Sequence, residues 1–276
     1  MIQKLPASFS TLPDHRALAE YIIHALHDDE RVLGLYLSGS FAYGTPDVYS
    51  DLDFYILVAA ALRDQIERDH LHLREQAGAV IADFPATHLN DPHQFITFYR
   101  APYPLHVDYQ YRIPSQLVPR KKDSDVLILW DISGLLSEWK SKCQLMEESY
   151  SATVDELQYF EDRFWAWCLY TDAKIKRGEL WEARDAIEYL RGNVLVRLAY
   201  HAHELRPEGC RRIDTKFRKS ALAELERTLP AGHSQRAYGD ALRATAQCYI
   251  DFMRDAADKA KVAVQERDRA YVQSKL

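Results

Sequence analysis

Residues 37–58 read LSGSFAYGTPDVYSDLDFYILV. One apolar run, Val32 to Leu37, ends in Gly39-Ser40, and a second opens with Asp51 and Asp53 at its head. Side chains on a strand alternate between faces, so residues two apart point the same way. Asp51 and Asp53 are therefore expected to project together, with Leu52, Phe54, Ile56 and Val58 packing on a core. Two adjacent carboxylates repel each other unless a cation sits between them. The usual cation for paired hard oxygens is Mg2+, which in turn holds phosphates. Gly39 lets backbone approach a ligand closely, and Ser40 adds a hydroxyl. The N–H groups of such a turn can cradle a phosphate.

Either feature alone is ordinary, since an Asp-x-Asp at a strand start is often a turn. Their combination is specific: strand, Gly-Ser, ten residues, Asp-x-Asp, strand. It resembles the signature of the DNA polymerase β-like nucleotidyltransferase superfamily. The fuller form, G-S-x-A-x-G-x(5)-S-D-x-D from Gly39 to Asp53, looks most like small bacterial enzymes that adenylylate antibiotics. The resemblance implies one or two Mg2+ ions on Asp51 and Asp53. It implies a nucleoside triphosphate, ATP in the first instance, gripped by Gly39, Ser40 and Ser50. It also implies a third carboxylate on a neighbouring strand. Asp108 fits, standing mid-strand in L-H-V-D-Y-Q-Y, where Asp is a poor strand former. Asp108 is expected either to take the proton of the attacking hydroxyl or to share a second ion.

Composition narrows the partners. Residues 1–150 hold 13 Lys+Arg against 21 Asp+Glu, a balance of −8, and residues 151–276 hold 22 against 20, or +2. A chain that grips long nucleic acid normally shows a basic surface, so none is expected here. An acidic N-terminal half suits a cationic small acceptor. There is no apolar stretch long enough for a membrane span and no apolar signal-peptide core, so a cytoplasmic protein without a membrane partner is expected. Cys143, Cys168, Cys210 and Cys248 lie far apart and suit reduced thiols. His70/His72 and His201/His203 are two apart on expected helices and do not share a face, so zinc is not expected.

Periodicity predicts a helix over 13–28, strands at 32–37 and 52–58, a surface helix over 60–77, and a short strand at 79–83. Strands at 94–100 and 105–111 are joined by a turn at Pro102/Pro104. A strand at 125–130 and a helix over 133–148 follow. Beyond residue 150 only helices are expected, over 153–176, 179–205, 218–228 and 234–270. The fold class is α+β: a nucleotidyltransferase domain with a mixed sheet and helices over 1–148, then an all-helical bundle over 149–276.

The run from Ile175 to Ala199 resembles the helix-turn-helix of lincosamide and related aminoglycoside nucleotidyltransferases. The second domain there helps form the acceptor site, and its basic residues can meet the triphosphate. By that resemblance Lys174, Lys176 and Arg191 are candidate nucleotide ligands, and Glu179, Glu182 and Asp185, with Glu188, are candidate acceptor contacts. The plain alternative for each is a solvated helix residue, with Arg184 and Glu188 paired at i, i+4. The aromatics from Tyr159 to Tyr170 are expected in a core and a homodimer interface, with some lining an acceptor pocket for a cationic drug. The expected activity is transfer of AMP to a hydroxyl of a lincosamide or aminoglycoside, with release of pyrophosphate. Two alternatives stand beside it. One is modification of a protein or tRNA end, as in toxin–antitoxin systems, whose catalytic chains are shorter. The other is a regulatory nucleotide-binding protein without catalysis, against which the intact Asp51, Asp53 and Asp108 argue.

Overall fold

The computed structural model describes residues 2–100 and 104–276. The turn expected at Pro102 lies outside them. The chain forms two compact units that part after Glu148.

The first unit opens with α1 (Pro13–His27), whose proline occupies the first turn, where its missing N–H costs nothing. Then come β1 (Val32–Ser38), the one-turn α2 (Gly39–Tyr43), β2 (Leu52–Val58) and α3 (Arg63–Gln76). β3 (Val80–Pro85), β4 (Gln94–Tyr99), β5 (Leu105–Arg112), β6 (Leu127–Asp131) and α4 (Leu135–Leu145) complete it. The six strands form one mixed sheet in the order β3-β4-β5-β2-β1-β6. β2 and β5 run parallel, and the other pairings are antiparallel.

Alternation along the central strands divides the sheet chemically. Leu35, Leu37, Phe54, Ile56, Val107 and Tyr109 face a core completed by Ile22 and Leu26 of α1 and Ile66 of α3. Burying each such side chain contributes roughly 1.5–3 kcal/mol. The opposite face is covered only in part. Tyr36 and Leu57 pack there against Leu136, Trp139 and Cys143 of α4. The remainder of that face, toward Asp53 and Asp108, is polar.

The second unit holds α5 (Val154–Arg177), α6 (Leu180–Leu190), α7 (Val196–Ala202), α8 (Ile213–Lys216), α9 (Lys219–Arg227), α10 (Gln235–Ala260) and α11 (Arg269–Gln273). Thr153 caps α5 by accepting from the Glu156 N–H at 3.2 Å, and Gly178 ends it at φ 76°. Phe164 of α5 stacks on Tyr249 of α10 with ring centroids 3.7 Å apart.

Two helices differ from expectation. The helix expected over 179–205 is broken into α6 and α7 by a π turn at Arg191–Leu195. The helix expected over 234–270 stops at Ala260, where Lys261 turns left-handed at φ 55°. The chain then runs back along α5, because a fully buried carboxylate on α5, Glu161, must be satisfied. Glu161 accepts from Trp165 Nε1 at 3.2 Å, Tyr249 Oη at 2.7 Å, the Arg267 N–H at 2.9 Å and two Arg269 nitrogens at 2.9 Å. Smaller differences are of boundary: β6 ends at Asp131, and α4 spans Leu135–Leu145 rather than 133–148. Among the described residues no helix is long and apolar enough to cross a membrane.

Candidate active site

The site is built where β1 hands over to α2. Ser38 pairs with Asp53 in the antiparallel β1–β2 ladder. The next residue, Gly39, adopts φ +70°, a left-handed conformation that favours glycine. A Cβ at Gly39 would stand 2.3 Å from Asp53 Oδ2, so the turn is closed directly over that carboxylate. Gly39→Ala is therefore expected to carry both a backbone cost of roughly 1–3 kcal/mol and displacement of Asp53. Titration with a nucleoside triphosphate, followed by intrinsic fluorescence, should show at least a tenfold weaker Kd than the parent chain. Unchanged affinity would separate the turn from nucleotide binding.

Ser40 is 8% exposed, and its Oγ is buried without a hydrogen-bond partner among the described residues. A hydroxyl in that condition is a group held ready for a ligand or a water. Ser50 is differently employed. Its hydroxyl accepts from the Asp47 N–H at 2.9 Å and its carbonyl accepts from His15 Nε2 at 2.9 Å, so it closes the loop before Asp51.

The parallel β2–β5 register sets Asp53 beside Asp108, with Leu52 opposite Val107 on the core side. Asp108 is 9% exposed. Gln94 Nε2 donates to its Oδ2 at 2.9 Å, and His106 Nε2 donates to its Oδ1 at 2.8 Å. The hydrogen bond to Asp108 raises the His106 pKa above its ordinary value; burial opposes the rise, and the charges of Asp108, Asp51 and Asp53 add to it. All three aspartates thus act on one imidazole. Two residues along, Tyr55 is pushed up to about 12, first by burial and then by the charge of Asp53. Gln110 and Arg112 continue the polar strip on β5, joined at 2.8 Å.

His106 and Gln94 were not among the residues expected to serve the site. Alternation along β5 puts His106 on the face of Asp108, so that clue lay in the strand itself. Gln94 depends on the β4–β5 register, in which it pairs with Gln110, and no local pattern reports it.

Among the described residues, the acid/His set whose ligand atoms all fall within 4.8 Å of one another is Asp64, Glu67 and His93; Asp51, Asp53 and Asp108 stand wider apart as a trio. The tighter set already has a cation beside it, with Arg63 Nε 3.8 Å from Glu67 and 4.0 Å from Asp64. The donor chemistry at Asp51, Asp53 and Asp108, hard carboxylate oxygens, fits Mg2+.

The candidates beyond residue 150 lie in the helical unit. Lys174 is bound to Glu179 at 2.7 Å and Glu182 at 3.0 Å, and Lys176 to Asp172 at 2.6 Å. Arg191 donates to Thr228 Oγ1 at 2.6 Å and to the Thr228 carbonyl at 2.7 Å, pinning the π turn to the end of α9. Glu188 pairs with Arg191, while the Arg184 guanidinium lies 6.0 Å from the Trp181 ring. Asp185 is exposed on α6.

No protein-family model matches the chain, and no curated protein matches it. Among solved structures the chain is similar to an aminoglycoside 6-adenyltransferase from Bacillus subtilis. The two share 13% identity over 94% of this chain and 95% of that one, with a TM-score of 0.43. It is also similar to a nucleotidyltransferase-like protein from Exiguobacterium sibiricum, at 12% identity over 87% of this chain and 74% of that one, with a TM-score of 0.33. At that level of likeness the functional reading rests on the residues of the site itself.

Proposed function

We propose that this chain is a polymerase β-like nucleotidyltransferase. It moves a nucleoside monophosphate, AMP from ATP, onto a hydroxyl of a small cationic acceptor of the aminoglycoside or lincosamide type. The observation that carries the reading is the Gly39-Ser40 turn closed over Asp53, with Asp108 in register beside it on β5. Phosphoryl transfer asks little covalent chemistry of a protein; it asks for positioned charge.

In this reading Asp51 and Asp53, joined by Asp108, would hold Mg2+, which when bound offsets the charge of the phosphates. The protein's own residues do the rest. The Gly39-Ser40 turn receives the outer phosphates, with the unpaired Ser40 hydroxyl as a donor. The acceptor oxygen forms a bond to the α-phosphorus as the bridging P–O bond to the β-phosphate breaks, and pyrophosphate leaves with that electron pair. The hydroxyl's proton must go to a nearby base. In this reading Asp108 would take that proton or share a second ion; its register beside Asp53 supports the assignment. His106 and Gln94 each bond one of its oxygens and so fix its plane. The acidic balance of residues 1–150 supports a cationic acceptor.

The test is pyrophosphate release from ATP, GTP, CTP and UTP with Mg2+, against lincosamides, aminoglycosides and buffer alone, with product masses read afterwards. An acceptor-dependent signal with a mass gain of one nucleoside monophosphate is expected. Magnesium-dependent nucleotide binding without release across the panel would move the acceptor elsewhere, and absence of nucleotide binding would remove the reading.

A further inference from the structure

The helical unit contains a cleft of about 460 Å3 that the reading above does not use. Its size falls within the range of small-molecule sites. One wall is a single face of α5, which presents Glu156, Tyr159, Arg163 and Trp167 at helical spacing. The other wall presents Tyr189, Asn193 and Arg197. On a regular helix Arg197 would sit about 80° round from Tyr189. The extra residue of the π turn at Arg191–Leu195 brings it back to within roughly 20°. The π turn therefore shapes this wall, and such turns are frequent at functional sites.

The chemistry of the walls selects a ligand. Trp167 and Tyr189 are 42% and 48% exposed, with ring centroids 6.0 Å apart over a buried apolar floor that includes Leu190 and Val194. Large aromatic faces left open in a concavity suit a flat ring. The charge in the cleft is lopsided. Glu156 is already engaged by Arg197 and by His201 Nε2 at 3.2 Å. Arg163 lies 3.8 Å over the Tyr159 ring and donates to the Tyr159 carbonyl, while its acidic neighbour Asp162 is held by Arg267 at 2.6 Å. Two arginines thus face one satisfied glutamate, which disfavours a cation.

We propose that this cleft is a binding site for a planar aromatic molecule bearing an acidic group, with the ring against Trp167 and Tyr189 and the acid at Arg163. The guanidinium fork matches a carboxylate or a phosphate equally. The site stands independently of nucleotidyl transfer and is tested without nucleotide.

The full chain is titrated with 2-naphthoate, 2-naphthyl phosphate, uncharged 2-naphthamide and cationic 2-naphthylmethylammonium, read by calorimetry and by tryptophan fluorescence. Both anions should bind at least tenfold more tightly than the amide and the ammonium probe, and the tighter anion identifies the acid as carboxylate or phosphate. Arg163→Gln, on an exposed position, should abolish the preference for anions without moving the thermal midpoint. Tyr189→Ala should weaken every probe. Equal affinity for all four probes, tighter binding of the ammonium probe, an unchanged preference in Arg163→Gln, or no saturation by either anion up to about 1 mM would each overturn the proposal.

Discussion

Replacing Asp53 with asparagine is expected to cut nucleotidyl transfer by on the order of 10³-fold and to leave the fold intact. The side chain keeps its shape but loses the charge that the turn at Gly39 is closed over. The thermal midpoint should stay near the parent's, because Asp53 stands beside a second carboxylate, Asp108, in the β2–β5 ladder. Removing one of several like charges relieves repulsion in the ligand-free protein. The decisive comparison is single-turnover pyrophosphate release against the thermal midpoint, measured on the same preparations. A rate within a few-fold of the parent would take Asp53 out of the reaction. A collapsed midpoint would make it a structural residue. Asp53→Glu adds a further discriminator, since it restores charge but lengthens the side chain beneath the Gly39 turn, where there is no spare room.

Replacing Glu161 with alanine is expected to give the largest stability loss in the helical unit, about 3–5 kcal/mol. The carboxylate is fully buried and gathers donors from α5, α10 and the returning chain around Arg267 and Arg269. Its removal strands Arg269 and frees the segment after Lys261. Burial alone would raise the Glu161 pKa, but the bonds from Arg269, the Arg267 N–H and Tyr249 outweigh it and hold the group below the ordinary 4.5. A depressed folded-state pKa contributes stability that is full above the unfolded value and is lost as pH falls through the folded one. The parent should therefore lose stability progressively below about pH 4.5, and Glu161→Gln should flatten that part of the profile. Urea midpoints followed by near-UV dichroism between neutral and acid pH give both numbers. A Glu161→Ala midpoint equal to the parent's would mean that the bonds from Arg267 and Arg269 to Glu161 do not hold the unit together.

Legibility in the sequence followed the range of the interaction. The closeness of Gly39 to Asp53 could be read because a turn and the head of one strand carry both. Asp108 could be read because an aspartate inside an apolar strand is costly. Gln94 could not, since its place beside Asp108 is settled by strand register across the sheet rather than by any neighbour in sequence. The same limit holds in the helical unit. The apolar period runs on past Ala260, and nothing local announces that Lys261 turns left-handed; the cause is Glu161, far up the chain. A π turn adds one residue to a pattern that still reads as helix, so the break between α6 and α7 is silent. Lys174, Lys176 and Arg191 have the charge that triphosphate binding asks for, but composition does not reveal that each already holds a partner within its own unit.

The single parallel pairing in the sheet also bears on how the protein assembles. β1 with β2, and β4 with β5, are joined through chain segments close in sequence, so each ladder closes a short loop. Setting β2 against β5 instead requires closure over α3, β3 and β4, and such non-local contacts carry the larger entropic cost and form slowly. That closure is the one that brings Asp53 to Asp108. The candidate site is thus complete only once the two ladders have joined.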